Sequence, residues 1–208
     1  MGKRIAVLVS GGGTNLQALI DAQNRGELGG GQIVAVISSK HGAYALERAA
    51  KAGIAGYVLP RKYFDSNRAM TVALVDLLKD LQIDLVVLAG CMIIFTEELV
   101  DAYPNAVMNV HPALIPSFCG PGYYGLHVHE EALQYGVKLS GATVHFVSEE
   151  CDGGPIIAQK SVEVRPEDTP EVLQKRIMEQ AEWILLPQAV KAFCEDRITV
   201  DGRTVIIR

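Results

Sequence analysis

The chain has 208 residues, of which 49% are hydrophobic and 21% charged, and its formal net charge is -5 at pH 7. This balance is typical of a globular domain with a sizeable core and excludes a disordered chain. Lysine and arginine are scattered along the sequence, which argues against nucleic-acid binding. The apolar runs are far shorter than the ~20 residues that a membrane span needs.

The start of the chain is first basic and then apolar. Lys3 and Arg4 precede a short apolar run that ends at Ser10, and we expect a buried first strand here rather than a signal peptide. The four cysteines are widely separated and form no Cys-x-x-Cys pair. This pattern favours reduced thiols and a cytoplasmic protein.

The first half alternates strand-like runs with amphipathic stretches. Strands are predicted over 4–9, 33–37, 57–59, 85–89 and 107–110, and helices over 15–23, 43–52 and 66–81. This alternation is typical of βαβ units around a parallel sheet that is covered on both faces. We therefore expect an α/β fold with a mostly parallel, twisted sheet flanked by helices, Rossmann-like in its N-terminal half.

The second half has a different pattern. A short helix is predicted over 130–134, strands over 142–146 and 156–164, and a long helix from about 170 to 194 that Pro187 should end or kink. Two β-rich arms around Asp201-Gly202 predict a terminal hairpin over 198–206. No repeat or linker is visible, so we expect one domain over 1–208.

A glycine-rich loop separates the first predicted strand from the first helix. Backbone N–H groups can approach an anion closely in such a loop, and the helix N-terminus adds partial positive charge. A tight turn is the simpler interpretation, but the position after the first strand of an α/β sheet favours anion binding. The residues concerned are Gly11, Gly12, Gly13, Thr14 and Asn15, of which the last two can cap the helix or donate to phosphate.

The ligand of this loop is better described as a single phosphate than as a dinucleotide. Leu16 stands where the third glycine of a dinucleotide fingerprint belongs, and the second strand ends without an acidic residue for a ribose hydroxyl. No Gly-Lys-Ser/Thr follows the loop, which also excludes a nucleoside-triphosphate loop. A phosphate monoester therefore fits best.

Polar side chains follow two of the predicted strands. Asn109 and His111 are two residues apart and point to the same side of an extended chain, and Pro112 favours a turn out of the sheet. Asp152 precedes two glycines. An amide can donate to an oxyanion, an imidazole can exchange a proton, and a carboxylate can orient its partner. These residues predict acyl-type transfer, although His111 can also be a structural histidine and Asp152 part of a plain turn.

The remaining histidines carry less information. His127 and His129 have a spacing that could bind a metal on a strand, but no cysteine or carboxylate cluster supports such a site. We expect no metal. His145 lies in an apolar strand and is expected to be structural or to support the site.

The motifs together resemble those of the phosphoribosylglycinamide formyltransferases, a folate-dependent family of purine synthesis. The resemblance extends in order from about residue 3 to 195. It is carried by Ser-Gly-Gly-Gly-Thr-Asn-Leu-Gln-Ala at 10–18, Val-Leu-Ala-Gly-Cys-Met at 87–92, Asn-Val-His-Pro-Ala-Leu-Ile-Pro at 109–116, Gly-Ala-Thr-Val-His-Phe-Val at 141–147 and Asp-Gly-Gly-Pro-Ile-Ile at 152–157.

The resemblance implies a reaction. The amine of glycinamide ribonucleotide would attack the formyl carbon of 10-formyltetrahydrofolate, the co-substrate. Asn109 and protonated His111 would stabilise the oxyanion, and Asp152 would assist proton transfer. The loop from Gly11 to Asn15 would hold the ribose phosphate, and Glu182 resembles a glutamate that contacts the ribose.

The resemblance also implies a division of labour between the two halves. Residues 1–111 would bind phosphate, and residues 112–208 would carry the folate and catalytic half. The expected folate contacts are Arg68, Leu88, Met92, Ile93, Phe95 and Val147. The expected partners are these small molecules alone, with no nucleic acid and no membrane, for a monomer or homodimer.

Several positions depart from the family pattern. Ile93 stands where many members have arginine, Asn67-Arg68 replaces Ser-Arg, and Trp183 replaces a common histidine. Residues 118–128 form a longer, glycine-rich segment, which suggests a mobile lid or a variant substrate wall. Two alternatives stay open: a hydrolase of the same folate, and a non-catalytic sensor of a phosphate ligand on this scaffold.

Overall fold

A computed structural model describes residues 2–208. Its strands are β1 (Arg4–Val9), β2 (Gln32–Ser38), β3 (Ala55–Val58), β4 (Leu85–Leu88), β5 (Val107–His111), β6 (Leu139–Phe146), β7 (Ile156–Glu163), β8 (Ile198–Asp201) and β9 (Thr204–Ile207). Its α-helices are α1 (Thr14–Asn24), α2 (Tyr44–Lys51), α3 (Asn67–Asp80), α4 (Glu97–Ala102), α5 (His127–Tyr135), α6 (Pro170–Ile177) and α7 (Trp183–Cys194).

These strands form one sheet in the order β3-β2-β1-β4-β5-β6-β7-β9-β8. The five strands from β3 to β5 run parallel, whereas β6 is antiparallel to both β5 and β7. The hairpin of β8 and β9 joins the sheet through β9, which runs parallel to β7. The predicted mostly parallel α/β sheet and the terminal hairpin are both confirmed.

Alternating side chains of the sheet build a core on each face. Ile5 and Val7 of β1 pack on one side with apolar residues of α1 and α7. Ala6 and Leu8 pack on the other side with residues of α3 and α4. This two-sided burial explains why β1 reads as a continuous apolar run, since a parallel strand covered on both faces has no polar side.

The predicted long helix differs from the observed one at its centre. A π-helical turn, Met178–Glu182, lies between α6 and α7, and α7 continues through Pro187 to Cys194. Pro187 therefore lies inside the helix and does not end it, which was one of the two outcomes predicted for it. A proline removes one intrahelical hydrogen bond and displaces the carbonyl four residues earlier, which for Pro187 is the carbonyl of Trp183. The wide π turn ends immediately before Trp183.

Two other helices were misjudged from the sequence. α4 was not predicted because its six residues show too little periodicity for the pattern to be recognised. α5 begins at His127 rather than at about residue 130, so the His127 and His129 side chains leave a helix and not a strand. Among residues 2–208, no helix is both long and apolar enough to cross a bilayer.

Candidate active site

The loops after β1 and β4 meet where the strand order reverses. The Ser10 N–H donates to the Gly90 carbonyl at 3.1 Å. The Ser10 hydroxyl accepts from the Met92 N–H and from the Ser39 hydroxyl, both at 2.9 Å. Open α/β sheets bind their ligands at this kind of switch point. Sequence reasoning did not single out Ser10, because its partners are remote in the chain.

The glycine loop fits closely against α2. Gly13 occupies the N-cap position of α1 with φ +72°, and a Cβ there would lie 2.7 Å from the Ala45 Cβ. Gly11 and Gly12 are exposed, and a Cβ on either would meet nothing within 4 Å. Thr14 and Asn15 lie within the first turn, so neither caps the helix. The exposed loop leaves its backbone accessible to an anion.

Arg48 supports this loop from α2. Its Nε donates to the Gly12 carbonyl at 2.9 Å, and its Nη1 donates to Gln17 Oε1 at 2.9 Å. A cation is thereby fixed beside a loop that is suited to anions. Sequence reasoning missed Arg48, since nothing in a helical Leu-Glu-Arg pattern distinguishes it from an ordinary surface arginine.

Glu182 and Asn15 form a buried pair beside the glycine loop. The Asn15 amide donates to Glu182 Oε2 at 2.6 Å, and Glu182 is only 6% exposed. Burial raises the pKa of Glu182 to about 7, although the Asn15 amide opposes this shift. Glu182 ends the π turn, and such turns often occur at functional sites. The two residues that the resemblance assigned to the same substrate therefore lie together.

Asp152 is the centre of a second cluster of polar groups. Its Oδ1 lies 3.4 Å from Asn109 Nδ2 and 3.5 Å from His145 Nε2. Its Oδ2 lies 3.6 Å from His111 Nδ1 and accepts from the Gly120 N–H at 2.9 Å. The structure thus brings together Asn109, His111 and Asp152, and it adds His145 and a backbone group from the loop before α5.

His145 lies between the Phe146 carbonyl and the Asn109 amide. Its Nδ1 donates to the Phe146 carbonyl at 2.8 Å, which leaves Nε2 to accept from Asn109 Nδ2 at 3.2 Å. The Asn109 amide therefore shares its two hydrogens between His145 and Asp152. Both contacts are long for N–H donors, so a charged oxygen nearby can compete for either hydrogen.

Charge and burial act against each other in this cluster. Burial raises the pKa of Asp152, but the neighbouring His145 and His111 imidazoles and the Gly120 N–H together outweigh it, so the pKa is lowered. Burial lowers the pKa of His111, against the opposing effects of Asp152 and of the Phe118 carbonyl. Asp152 is consequently a carboxylate at neutral pH, and it faces an imidazole that it helps to protonate.

The backbone of the β6–β7 loop carries Asp152 to this position. Asp152 adopts φ +55°, a left-handed conformation in which aspartate is enriched among non-glycine residues. Two residues later, a Cβ on Gly154 would lie only 1.8 Å from the Phe146 carbonyl oxygen. The Asp-Gly-Gly sequence therefore permits the loop to fold back closely over the end of β6.

An open cavity of about 230 Å³ lies between α4 and the segment after β6. It is lined by Phe95, Thr96, Glu97, Leu99, Val100, Val147, Ser148 and Glu149. The apolar walls and polar edge suit a flat heteroaromatic ring with hydrogen-bonding groups. Phe95 and Val147 were predicted to contact the folate. The α4 residues were missed because the helix itself was not predicted.

The other residues predicted to contact the folate lie outside this cavity. Leu88 is buried in the sheet, and the Met92 side chain is 58% exposed. Ile93 lines a separate crevice that is too small for a ligand. Arg68 of α3 forms an ion pair with Glu98 of α4. Its guanidinium group therefore lies against the helix that borders the cavity.

The paired histidines of α5 do not form a metal site. His127 is exposed and lies 3.4 Å from Glu130 Oε2, whereas His129 is fully buried. Their side chains thus leave the helix in different directions, as the helical period requires for neighbours two apart. Within residues 2–208, no three His, Cys, Asp or Glu side chains are grouped for metal binding.

The fold and the site define an α/β protein with an exposed glycine loop at the switch point and an amide–imidazole–carboxylate cluster beside it. The sequence profile of the formyl transferase family matches residues 3–190. The chain belongs to this family.

Individual relatives agree with this assignment. The phosphoribosylglycinamide formyltransferase of Haemophilus influenzae is 43% identical over 196 residues, which cover 94% of this chain and 89% of that protein. The crystal structure of glycinamide ribonucleotide transformylase 1 from Symbiobacterium toebii superposes with a TM-score of 0.93 at 41% identity, covering 99% of this chain and 94% of that one.

A relative with another activity has the same fold. A formyltetrahydrofolate deformylase from Pseudomonas syringae pv. tomato superposes with a TM-score of 0.88 at 30% identity. The superposition covers 100% of this chain but only 66% of the deformylase chain.

Proposed function

We propose that the chain transfers a formyl group from 10-formyltetrahydrofolate to the amine of glycinamide ribonucleotide. The observation that carries this proposal is the position of the Asp152 carboxylate, 3.4 Å from Asn109 Nδ2 and 3.6 Å from His111 Nδ1. Family membership and the names of relatives that match nearly the whole chain support it.

In this mechanism, the amine nitrogen forms a bond to the formyl carbon, and the formyl oxygen takes the negative charge. Asn109 Nδ2 and protonated His111 donate to that oxygen. Hydrogen bonds to this charged oxygen would be shorter and stronger than the long contacts that the two side chains make in the free protein. Asp152 orients the imidazole and assists the passage of the amine proton to the departing folate nitrogen. The bond from that nitrogen to the formyl carbon then breaks.

The substrate phosphate would bind at the loop from Gly11 to Asn15. Its exposed backbone and the start of α1 provide donors and partial positive charge, and Arg48 adds a full charge behind the loop. Glu182 would accept hydrogen bonds from the ribose hydroxyls, in place of its present bond from Asn15. Binding of the ribose would explain why Glu182, an ionisable residue, is buried beside the glycine loop.

The pterin ring of the folate would occupy the cavity between Phe95 and Val147. The apolar walls suit the ring faces, and the backbone at Ser148 and Glu149 suits its polar edge. Arg68 would approach the anionic tail of the folate by leaving Glu98. Leu88, Met92 and Ile93 lie outside this cavity. They would position the chain beside the ring rather than enclose the ring itself.

We also propose that the protein acts in the cytoplasm, as a monomer or homodimer, on these small molecules alone. The scattered positive charge supports the absence of a nucleic-acid partner. The four free cysteines support a reducing compartment.

The test is a turnover assay with 10-formyltetrahydrofolate, with and without glycinamide ribonucleotide. Asn109→Ala, His111→Ala and Asp152→Asn should each lower kcat by about 10²-fold or more, while binding of the phosphorylated substrate stays nearly intact. Full activity in two of the three variants would overturn the assignment of these residues.

The same assay separates the alternatives. Folate turnover and formate release that do not depend on the amine would identify a hydrolase. Tight binding of the phosphorylated ligand with no turnover under any condition would identify a sensor.

A further inference from the structure

Two backbone groups of the loop before α5 bind the His111–Asp152 pair. The Phe118 carbonyl accepts from His111 Nε2 at 2.8 Å, and the Gly120 N–H donates to Asp152 Oδ2 at 2.9 Å. Because the two groups are two residues apart, a single segment contacts both partners.

The Phe118 carbonyl determines where His111 carries its proton. A carbonyl is only an acceptor, so Nε2 must hold a hydrogen in every protonation state. The neutral ring then turns its bare Nδ1 toward the Asp152 carboxylate, 3.6 Å away. A second proton is taken up on Nδ1, where this carboxylate stabilises it. The contact therefore prepares the protonated form that the proposed mechanism uses.

Aromatic side chains of this loop and of α5 pack around Phe118. Phe118 adopts φ +49°, which is unfavourable for a large non-glycine residue. Its ring packs edge-on against Tyr135 with the centroids 5.9 Å apart, and it lies 6.4 Å from the Tyr123 ring. Edge-to-face aromatic pairs at such distances attract each other, and this attraction opposes the conformational strain at Phe118.

Tyr135 lies on the surface and pairs with the Phe118 ring of the loop. Its side chain is 80% exposed at the end of α5, and the Phe118 ring is its aromatic partner. We propose that Tyr135 is a positioning residue for the reaction, which acts through the Phe118 ring to keep the Phe118 carbonyl on His111. This inference rests on the proposed role of His111.

Three other ionisable groups face His111 and influence its protonation. Asp152 comes from the β6–β7 loop, His145 from β6 and His129 from α5. None of them contacts Tyr135 through an aromatic pair or an ion pair within residues 2–208. A change at Tyr135 therefore reaches His111 through Phe118.

The test compares Tyr135→Ala with Tyr135→Phe. Tyr135→Ala should lower kcat about tenfold and leave both KM values within about twofold, because loss of the ring releases the carbonyl. The alkaline limb of the kcat–pH profile should move to lower pH, since His111 loses an acceptor that favours its protonated form. Tyr135→Phe keeps the ring and should match the parent chain in both respects.

Tyr124→Ala is the matched control. Tyr124 is 59% exposed in the same loop, and it has no aromatic partner among residues 2–208. Its loss should change neither kcat nor the pH profile. An unchanged pH limb and kcat in Tyr135→Ala would overturn the proposal. Faster turnover in this variant would also overturn it, because the loop would then obstruct His111 rather than position it.

Including His111→Ala in the same series separates the two levels of inference. If His111→Ala is inactive and Tyr135→Ala is normal, only the role of Tyr135 is wrong. If His111→Ala keeps full activity, the proposed function of His111 fails, and the role of Tyr135 fails with it. Thermal unfolding of each variant checks that folding is unchanged.

Discussion

The buried carboxyl of Glu182 is unusual because it has a single hydrogen-bond donor within the described chain. The Asn15 amide binds Oε2 at 2.6 Å, and burial raises the pKa of Glu182 to about 7. The native state therefore holds this proton more tightly than the unfolded chain does, so the associated stability is present below pH 4.5 and is lost as pH rises through about 7. Substrate hydroxyls would supply the donors that the ionised form lacks.

This carboxyl predicts a pH-dependent affinity for the ribonucleotide. An ionised carboxylate accepts two hydroxyl donors, whereas the protonated acid accepts them less well. The KM for glycinamide ribonucleotide should therefore rise as pH falls below about 7, and Glu182→Gln should show a higher KM with little pH dependence. Steady-state kinetics between pH 6 and 8.5 measure this. Glu179→Gln is the control, since Glu179 lies in the same π turn, is half-exposed and pairs with Lys175. A pH-dependent KM in Glu182→Gln would contradict the assignment.

At the scale of elements, the junction of β1 with α1 depends on one glycine. A Cβ on Gly13 would lie 2.7 Å from Ala45, and its φ of +72° is unfavourable for alanine. Gly13→Ala should lower the free energy of unfolding by about 1–2 kcal/mol from conformation alone, with more from the collision with α2. Denaturant unfolding measures this. Gly12→Ala, with open space around it, should change stability by less than about 0.5 kcal/mol; equal losses in the two variants would refute this explanation.

The sheet and part of the candidate site could be predicted from the sequence. The sheet was predictable because each strand from β1 to β5 is an apolar run, and helical periodicity separates these runs as far as β4. Asn109 and His111 were predictable as neighbours because side chains two apart on a strand share a side. Asp152 needed the family resemblance, since an Asp-Gly-Gly turn is ordinary in isolation.

The features that were missed depend on distant contacts. α4 is short, and its residues become a cavity wall only when the segment after β6 packs beside it. His145 joins the cluster through the antiparallel register that sets it opposite Asn109, and that register is not encoded in any local pattern. The π turn that ends at Glu182 has no local sequence signal that would predict it.

At the scale of the whole molecule, a buried histidine links stability to pH. His129 is fully buried on α5, and neither ring nitrogen has a hydrogen-bond partner within residues 2–208. Burial, with His111 nearby, lowers its pKa from 6.5 to about 4. The unfolded chain therefore binds this proton more tightly, and stability falls as pH decreases from 6.5 toward 4.

This linkage predicts an acid-sensitive fold. Between pH 7.5 and pH 5, His129 alone should account for at most about 2 kcal/mol of lost stability. His129→Leu should reduce that loss, whereas His127→Leu, on the exposed side of the same helix, should leave it unchanged. Urea unfolding at the two pH values measures the difference. An equal pH dependence in His129→Leu and the parent chain would show that other groups dominate.

The Ser10 hydroxyl has a thermodynamic consequence for the two substrates. It joins the loops after β1, β2 and β4, and these loops border the proposed phosphate and folate regions. Ordering one loop should therefore reduce the entropy lost when the second ligand binds. We expect each substrate to tighten binding of the other by the same factor, and we expect Ser10→Ala to bring that factor toward one. Calorimetric titration of each ligand, with and without the other, measures this cooperativity.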